Sequence, residues 1–170
     1  MLHHSMEIVR ASEQDIEAIL ALNQLLKVEA PEFKGNTHDF VEQEVDEGNY
    51  FVVKDRGTVV AAACISPRDE GMYLETISVS EAYQKKGIGS ELIEHAKKIT
   101  QDHGFDKLLV DTYCQYSADV FYSRCGFKKI PTMAKYKGKP YHKFLMQLPS
   151  AADTVHSASQ ACVTDLSHFG

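Results

Sequence analysis

Two glycines stand two residues apart in the stretch Gln84-Lys85-Lys86-Gly87-Ile88-Gly89-Ser90, between an apolar strand-like run and a helical pattern. Glycines let the backbone turn tightly and remove the Cβ atoms that block a ligand's approach. Amides at the start of the following helix point outward, where the helix dipole favours negative charge, and two lysines stand beside them. The stretch therefore predicts a phosphate or pyrophosphate site. A tight turn without a ligand is the alternative, because the dinucleotide fingerprint and the P-loop both need residues that are missing here.

A second stretch, Phe121-Tyr122-Ser123-Arg124-Cys125-Gly126-Phe127, ends a short helical pattern. Together with Gln84-x-x-Gly87-x-Gly89 it resembles the GNAT superfamily of N-acetyltransferases, whose signatures are Arg/Gln-x-x-Gly-x-Gly/Ala and Phe-Tyr-x-x-x-Gly-Phe. The two occur in the family's order, with a strand-like run at residues 108–113 between them. The resemblance covers residues 6–148. Within the family, Tyr73-Leu74-Glu75 followed by the glycine turn is closest in motif to the diamine and polyamine acetyltransferases.

The resemblance implies acetyl-coenzyme A as co-substrate. Its diphosphate is expected at the glycine turn and its amide-containing arm in a gap beside the fourth strand, where unpaired backbone groups need partners. Family members often have an asparagine that contacts this arm, and Gln115 occupies that position here with one methylene more. The residues expected to contact the co-substrate are Ile77, Ser78, Val79, Gln84, Lys85, Lys86, Gly87, Ile88, Gly89, Ser90 and Gln115.

Acetyl transfer from a thioester to an amine needs a deprotonated amine, a polarised thioester oxygen and a proton for the leaving thiolate. Glu75 lies in an apolar strand where many family members have a glutamate, and it is the candidate base; a structural ion pair with a Lys or Arg is the alternative. Tyr122 is the candidate acid, because a phenol with a pKa of about 10 suits a thiolate; a packed core tyrosine is the alternative. A backbone N–H near Ile77 is expected to polarise the thioester oxygen, and the resemblance implies a bulge in the same strand that frees this N–H from the strand pairing.

The cysteines Cys64, Cys114, Cys125 and Cys162 form no Cys-x-x-Cys pair and are interpreted as free thiols. No histidine lies within ten residues of Cys114 or Cys125, so direct transfer in a ternary complex is favoured over an acetyl-cysteine intermediate. The histidines show no helical pair with metal-ligand spacing, and no metal site is predicted.

The elements that would position these residues alternate between strands and helices. The resemblance implies the family's α/β (α+β) fold: a mixed, mostly antiparallel sheet of six to seven strands, splayed between strands 4 and 5, with helices on both faces. Strict alternation in the central strand places Glu75 with Ile77 and Val79, and Leu74 with Thr76 and Ser78. Predicted strands lie at residues 7–10, 50–54, 59–66, 72–79, 105–113, 127–130 and 141–148, and helices after Ser12, at 37–48, at 88–103 and at 117–125.

The net charge of −6 argues against nucleic acid as a partner. Residues 1–80 carry 15 acidic and 6 basic residues, whereas residues 81–148 carry 7 and 12. The acidic part favours a cationic acceptor. The resemblance implies that the first two helices overlie the acceptor cleft, so the acidic residues of 29–47 are a candidate rim that attracts a cation. Solvated helix faces are the alternative for this asymmetry, and the basic loop at 135–139 would instead suit an acceptor with a carboxylate or phosphate.

We interpret residues 1–148 as one acetyltransferase domain and residues 149–170 as a tail of unknown role. No apolar run reaches the roughly 20 residues that span a bilayer, and no export signal is present, so we expect a cytoplasmic protein. A small-molecule primary amine is the expected acceptor. Alternatives are protein lysines or N-termini, a coenzyme A-binding module without turnover, and a nucleotide-binding protein. Family members are often dimers, and an exposed edge at residues 141–148 is expected to permit pairing.

Overall fold

The computed structural model describes residues 6–26, 34–113, 118–130, 135–136 and 139–149. Seven strands form one mixed sheet in the order β1-β2-β3-β4-β5-β8-β6, and the two-residue strand β7 pairs with β8. The strands are β1 (Met6–Arg10), β2 (Tyr50–Asp55), β3 (Thr58–Arg68), β4 (Gly71–Val79), β5 (Lys107–Tyr113), β6 (Lys128–Ile130), β7 (Lys135–Tyr136) and β8 (Lys139–Gln147). The helices are α1 (Ile16–Asn23), α2 (His38–Asp46), α3 (Ile88–Asp102) and α4 (Asp119–Arg124).

The sheet splits between β4 and β5, the only parallel neighbours among the described strands. These two strands pair at Met72 with Leu108 and at Tyr73 with Leu109, and the described register contains no pair beyond Tyr73. The rest of β4 therefore diverges from β5 and leaves a gap toward its carboxyl end. The predicted splayed sheet, with mostly antiparallel pairing, is confirmed.

Each face of the sheet is covered by its own helices, because the strands present buried apolar side chains on both sides. On one face, Ile19 of α1 and Val41 of α2 belong to a buried cluster with Val52 of β2. On the other face, Leu92 of α3 packs in a second cluster, together with Tyr122 of α4. The predicted helices on both faces are thus observed, and the two strands of the split lie between the two layers.

A β-bulge in β4 makes the predicted side-chain alternation wrong beyond Leu74. The register pairs Leu74 with Ile65 but Thr76 with Cys64, so Glu75 is one extra residue on β4. Leu74 consequently shares its face with Ile77 and Val79, on the α3 side, rather than with Thr76 and Ser78. Beyond Glu75, each side chain of β4 therefore lies on the face opposite to the one predicted, because one extra residue shifts the two-residue alternation by one position.

Other predictions differ at the end of the chain. The predicted basic loop at residues 135–139 contains the short strand β7, and β8 begins at Lys139 rather than at Tyr141. The predicted exposed edge at residues 141–148 is wrong, because β8 lies between β5 and β6. Residues 150–170 lie outside the described residues, so the proposed tail stays a prediction.

Within the described ranges, no helix is both long enough and apolar enough to cross a bilayer.

Candidate active site

A cleft of 1420 Å³ occupies the split between β4 and β5. It extends from the glycine turn before α3, past the open half of β4, to α4 and the end of α1. Its walls contain most of the residues singled out from the sequence, drawn from segments far apart in the chain. The predicted site residues that line it are Glu75, Ile77, Val79, Gln84, Lys85, Gly87, Ile88, Gly89, Ser90 and Tyr122.

The glycine turn has a backbone that favours outward-pointing amides. Lys85 has φ of 61° and Gly87 has φ of 85°, both in the left-handed region, and α3 begins at the next residue, Ile88. The first helical bond that closes on the turn runs from the Glu91 amide to the Gly87 carbonyl. The amides of the preceding helical residues have no acceptor inside α3, as at any helix start, so they are available to an anion in the cleft.

Side chains around the turn hold it in place. Gln84 Nε2 donates to the Val79 carbonyl oxygen at 3.0 Å, which ties the turn to the end of β4. A Cβ on Gly89 would lie 3.2 Å from the ring of Phe121, so this glycine allows α3 and α4 to approach closely. Lys86 lies over the ring of Tyr83, 5.3 Å from its centroid, and does not line the cleft.

Glu75, at the bulge, is an ion-paired carboxylate on the cleft wall. Ser66 Oγ donates to Glu75 Oε1 at 2.8 Å, and Arg68 Nη2 donates to Glu75 Oε2. The Glu75 side chain is 15% exposed. Both of its oxygens thus accept hydrogen bonds from β3 side chains. The structure contains the ion pair that the sequence left as the alternative, and it also places the carboxylate at the cleft.

Tyr122 lies on the opposite wall with its ring in the core. The residue is 6% exposed, and its ring packs against Phe127 and Phe144 at centroid distances of 5.5 and 5.6 Å. Burial, with Cys125 as a minor contributor, raises the pKa of its hydroxyl well above 10. The phenol is therefore protonated throughout the neutral range, whatever its role.

Ser78 is a predicted cofactor contact whose side chain lies away from the cleft. The Ser78 side chain is buried on the α1 side of β4, donates to Asn23 Oδ1 at 3.0 Å and does not line the cleft. The bulge explains this placement, because it turns Ser78 away from Ile77 and Val79. Gln115 lies outside the described residues, so its contact stays a prediction.

The predicted acidic rim is not part of the cleft wall as far as the structure describes it. The acidic residues of α2, among them Asp39 and Glu42, are not among the cleft residues. The carboxylates that line it are instead Glu75, Glu94 and Asp111.

Sequence reasoning missed Arg68, Tyr73 and Asp111, which lie on the walls next to Glu75. Arg68 lies over the Tyr73 ring at 4.4 Å, and Lys143 Nζ donates to the Tyr73 hydroxyl at 2.9 Å. Asp111 faces Lys143 in the β5–β8 register. The sequence signal of Arg68 and Asp111 is a charge in a mainly apolar strand, and Tyr73 has only its place in the central strand. Neither signal is specific until the strand partners are known.

Asp111 is reachable from solvent, yet the protein around it perturbs its ionisation. Partial desolvation of the carboxyl group raises its pKa, and Glu75 and Glu70 raise it further by repulsion. Lys143 and Arg68 oppose this shift without cancelling it. The cleft wall thus brings Arg68 together with the carboxyl groups of Glu75 and Asp111.

Comparisons with known proteins agree with this geometry. The model of the Acetyltransferase (GNAT) family matches residues 19–127, which is more than half of the chain. A search of curated protein sequences finds no significant match.

Three solved structures of similar fold are informative. In two of them the match covers nearly the whole chain, and two contain coenzyme A. An acetyltransferase of the GNAT family from Desulfovibrio desulfuricans has 19% identity and a TM-score of 0.71, covering 84% of this chain and 98% of its own. The PaiA N-acetyltransferase from Thermoplasma acidophilum, in complex with coenzyme A, has 17% identity and a TM-score of 0.69, covering 82% and 98%. N-acetylglutamate synthase from Neisseria gonorrhoeae, complexed with coenzyme A and N-acetyl-glutamate, has 16% identity and a TM-score of 0.70, covering 86% and 36%. With the split sheet, the glycine turn and the family match together, this chain belongs to the GNAT family of acetyltransferases and is an acyltransferase enzyme.

Proposed function

We propose that the protein transfers an acetyl group from acetyl-coenzyme A directly to the primary amine of a small molecule, within a ternary complex. The observation that carries this proposal is the single cleft that joins the glycine turn, the Glu75 carboxylate and the Tyr122 phenol. A phosphate-binding protein needs only the turn, whereas an acetyltransferase needs all three.

The cleft fits coenzyme A in chemistry as well as in size. The diphosphate suits the free amides at the start of α3, with the charge of Lys85 beside them. Apart from Gly87 itself and its neighbours along the chain, no atom of the described residues lies within 4 Å of the position that a Cβ on Gly87 would take, so a ligand has room to approach the backbone there. The amide-containing arm suits the open half of β4, whose β5-facing groups have no β5 partner beyond Tyr73. When bound, acetyl-coenzyme A supplies an activated acetyl thioester.

Glu75 is proposed to favour the reactive form of the acceptor amine. An ammonium with a pKa of about 10 costs about 4 kcal/mol to deprotonate at neutral pH. Ser66 and Arg68 hold the Glu75 carboxyl group in place, so it can orient the amine and accept its proton, directly or through a water. Because both oxygens of Glu75 already accept hydrogen bonds, we expect it to contribute mainly by orienting the amine.

Tyr122 is proposed to stabilise the leaving thiolate by donating a hydrogen bond. Thiols have a pKa of about 8.5, so complete proton transfer from a phenol of raised pKa is unfavourable by more than about 2 kcal/mol. A short hydrogen bond from a neutral phenol lowers the energy of the thiolate without this cost. The raised pKa thus favours a donor role over a full general acid.

Direct transfer is supported by the state of the described cysteines. Cys125 lines the cleft, but burial raises the pKa of its thiol despite the hydrogen bond with Ser90. Cys64 lies in the cluster under α1 and α2, and burial raises its pKa further. Both thiols are therefore poor nucleophiles at neutral pH, since only the thiolate attacks.

The test is a thiol-release assay with acetyl-coenzyme A and a panel of small amines, peptides and proteins. Tyr122→Phe is expected to lower kcat about 10- to 100-fold with little change in the Kd for coenzyme A. Glu75→Gln is expected to lower kcat/KM for the amine, most strongly below neutral pH. Glu7→Gln, on the exposed surface of β1, serves as the matched control.

Several results would contradict the proposal. Full activity in both cleft variants removes the assigned roles, and acetylation of peptides alone removes the small-molecule acceptor. Absence of thiol release with every amine favours a binding module. Equal calorimetric affinity for ATP and coenzyme A favours a nucleotide-binding protein. The homodimer stays a prediction, to be measured by light scattering.

A further inference from the structure

We infer that the acceptor carries a carboxylate close to its amine and that Arg68 binds this carboxylate; the inference rests on the proposed acetyl transfer. Arg68 lines the cleft, and its side chain is 51% exposed. Among the described residues, its hydrogen bond is made through Nη2 to Glu75, so the other edge of the guanidinium is open. An open, planar pair of N–H donors at a binding cleft matches a carboxylate in two parallel hydrogen bonds.

The guanidinium is held in place before any acceptor binds. Glu75 fixes one edge, and the Tyr73 ring supports its face at 4.4 Å. Tyr73 is itself fixed, because its hydroxyl accepts from Lys143 at 2.9 Å and donates to Glu70 at 3.1 Å. A fixed arginine loses little conformational entropy on binding, which makes it a better anchor than a free surface arginine.

The charges on the cleft wall around Glu75 fit a zwitterion. Arg68 offers one positive charge, and Glu75 and Asp111 offer two negative charges nearby. An acceptor with adjacent ammonium and carboxylate groups meets opposite charges at both ends. A diamine would instead bring a second ammonium toward Arg68, and a phosphate dianion would meet the two carboxylates more unfavourably than a carboxylate does. The structure thus favours amino acids over the diamines that the motif suggested.

The contact between Arg68 and Glu75 also links recognition to chemistry. A carboxylate on the open edge of Arg68 lies one side chain away from the proposed base, so an α-amine attached to it is brought toward Glu75. Such an anchor raises the population of acceptors with the amine oriented for transfer. Arg68 therefore acts on specificity, while Glu75 acts on the amine.

The test compares each acceptor with forms that lack its carboxylate. Alanine, leucine, glutamate, lysine and phenylalanine are assayed beside their α-carboxamides and their decarboxylated amines, using thiol release with the full chain. Wild type is expected to favour the free acid about 10- to 100-fold in kcat/KM over the amide of the same side chain. Arg68→Gln is expected to abolish this ratio, and Arg68→Lys to retain part of it, because lysine keeps the charge but not the planar fork.

Arg68→Gln has two effects on the ratio, because it removes the anchor and also leaves the Glu75 carboxylate without its partner, where it repels an acceptor carboxylate. Arg68→Lys separates them, because it keeps a positive charge beside Glu75 but not the planar fork, so a ratio lowered in Arg68→Lys reports the fork. Lys98→Gln is the control, because it removes an exposed positive charge of α3 that does not line the cleft and should leave the ratio intact. Coenzyme A affinity by calorimetry should be unchanged in Arg68→Gln and Lys98→Gln.

The outcomes distinguish this inference from the proposed function. Acetylation of amines with no carboxylate preference, a preference for diamines, or an unchanged ratio in Arg68→Gln overturns the inference and leaves the acetyltransferase intact. Coenzyme A binding without thiol release toward any amine overturns the acetyl transfer on which the inference rests.

Discussion

Removal of the Asn23 side chain is predicted to destabilise the protein strongly, because Asn23 is the centre of a buried polar network. The side chain lies at the end of α1 and is fully buried. Its amide nitrogen donates to the Gly35 carbonyl at 2.6 Å and to the Tyr50 hydroxyl at 2.9 Å, and its oxygen accepts from Ser78 at 3.0 Å. The Tyr50 hydroxyl continues to Thr76 at 2.9 Å. The network joins α1, the start of the α2 segment, β2 and β4.

The magnitude follows from the groups left without partners. In Asn23→Ala, the Gly35 carbonyl, the Tyr50 hydroxyl and the Ser78 hydroxyl each lose a hydrogen bond in a buried region. Each unsatisfied buried group costs about 1–3 kcal/mol, and reorientation of the two hydroxyls recovers part of this. We expect a loss of roughly 3–5 kcal/mol, against a total stability of about 5–15 kcal/mol for a typical domain. Ser78→Ala removes one bond and should cost about 1–2 kcal/mol.

Urea unfolding followed by circular dichroism measures these free energies. Gln24→Ala, at the exposed next position, is the matched control and should change stability by no more than about 0.5 kcal/mol. The double variant Asn23→Ala/Ser78→Ala should lose less than the sum of the two, because both substitutions remove the same bond. A loss below about 1 kcal/mol in Asn23→Ala would refute the reasoning, since it would mean that these groups find other partners at no cost.

Two further predictions concern the glycine turn and the dependence of the free energy of unfolding on acidic pH. We expect Gly87→Ala to lower the affinity for coenzyme A at least 10-fold, measured by calorimetry, and to lower the free energy of unfolding by about 1 kcal/mol. Gly57→Ala is the control, because Gly57 lies in the β2–β3 turn with nearly the same φ. It should lower stability by a similar amount and leave coenzyme A affinity unchanged. Burial raises the pKa of Asp15, but hydrogen bonds from the Ser12 amide and Lys54 outweigh it and hold the pKa below 3.8. The ionised group thus stabilises the fold above about pH 4, and this contribution is lost as pH falls through the folded pKa. Asp15→Asn should cost about 1–3 kcal/mol at neutral pH and converge with wild type in acid, whereas a constant difference across pH contradicts this assignment.

The elements and the two motifs were predictable from the sequence because each is local. The helix α3 was predicted within a residue at its end, since its start is set by Gly87 and its apolar face by a period of 3.6. The hairpin of β2 and β3 was predicted from Asp55-Arg56-Gly57, and Arg56 and Gly57 both have positive φ there. The two motifs were sufficient to infer the split sheet through the resemblance.

The partners of the site residues were not predictable, because they depend on strand order. Arg68 reaches Glu75 across the β3–β4 hairpin, and Lys143 reaches Tyr73 from a strand about seventy positions later in the chain. The two alternatives for Glu75, a base or an ion-pair partner, are not exclusive in the structure. A carboxylate held by an arginine at the edge of a cleft satisfies both descriptions.

The bulge at Glu75 has a signal in the sequence after all, and it explains why the charge is tolerated. The apolar residues that face α3 from β4 are Met72, Leu74, Ile77 and Val79, and the middle spacing of three is incompatible with a regular strand. A strand that must bury all four on one face needs one extra residue between the second and third. A residue at such a bulge has no register partner on β3, so its side chain is released from the two packed layers and can face the gap beside β5. A carboxylate in that position avoids burial in either core, which would cost several kcal/mol if it were unpaired, and meets the cleft instead.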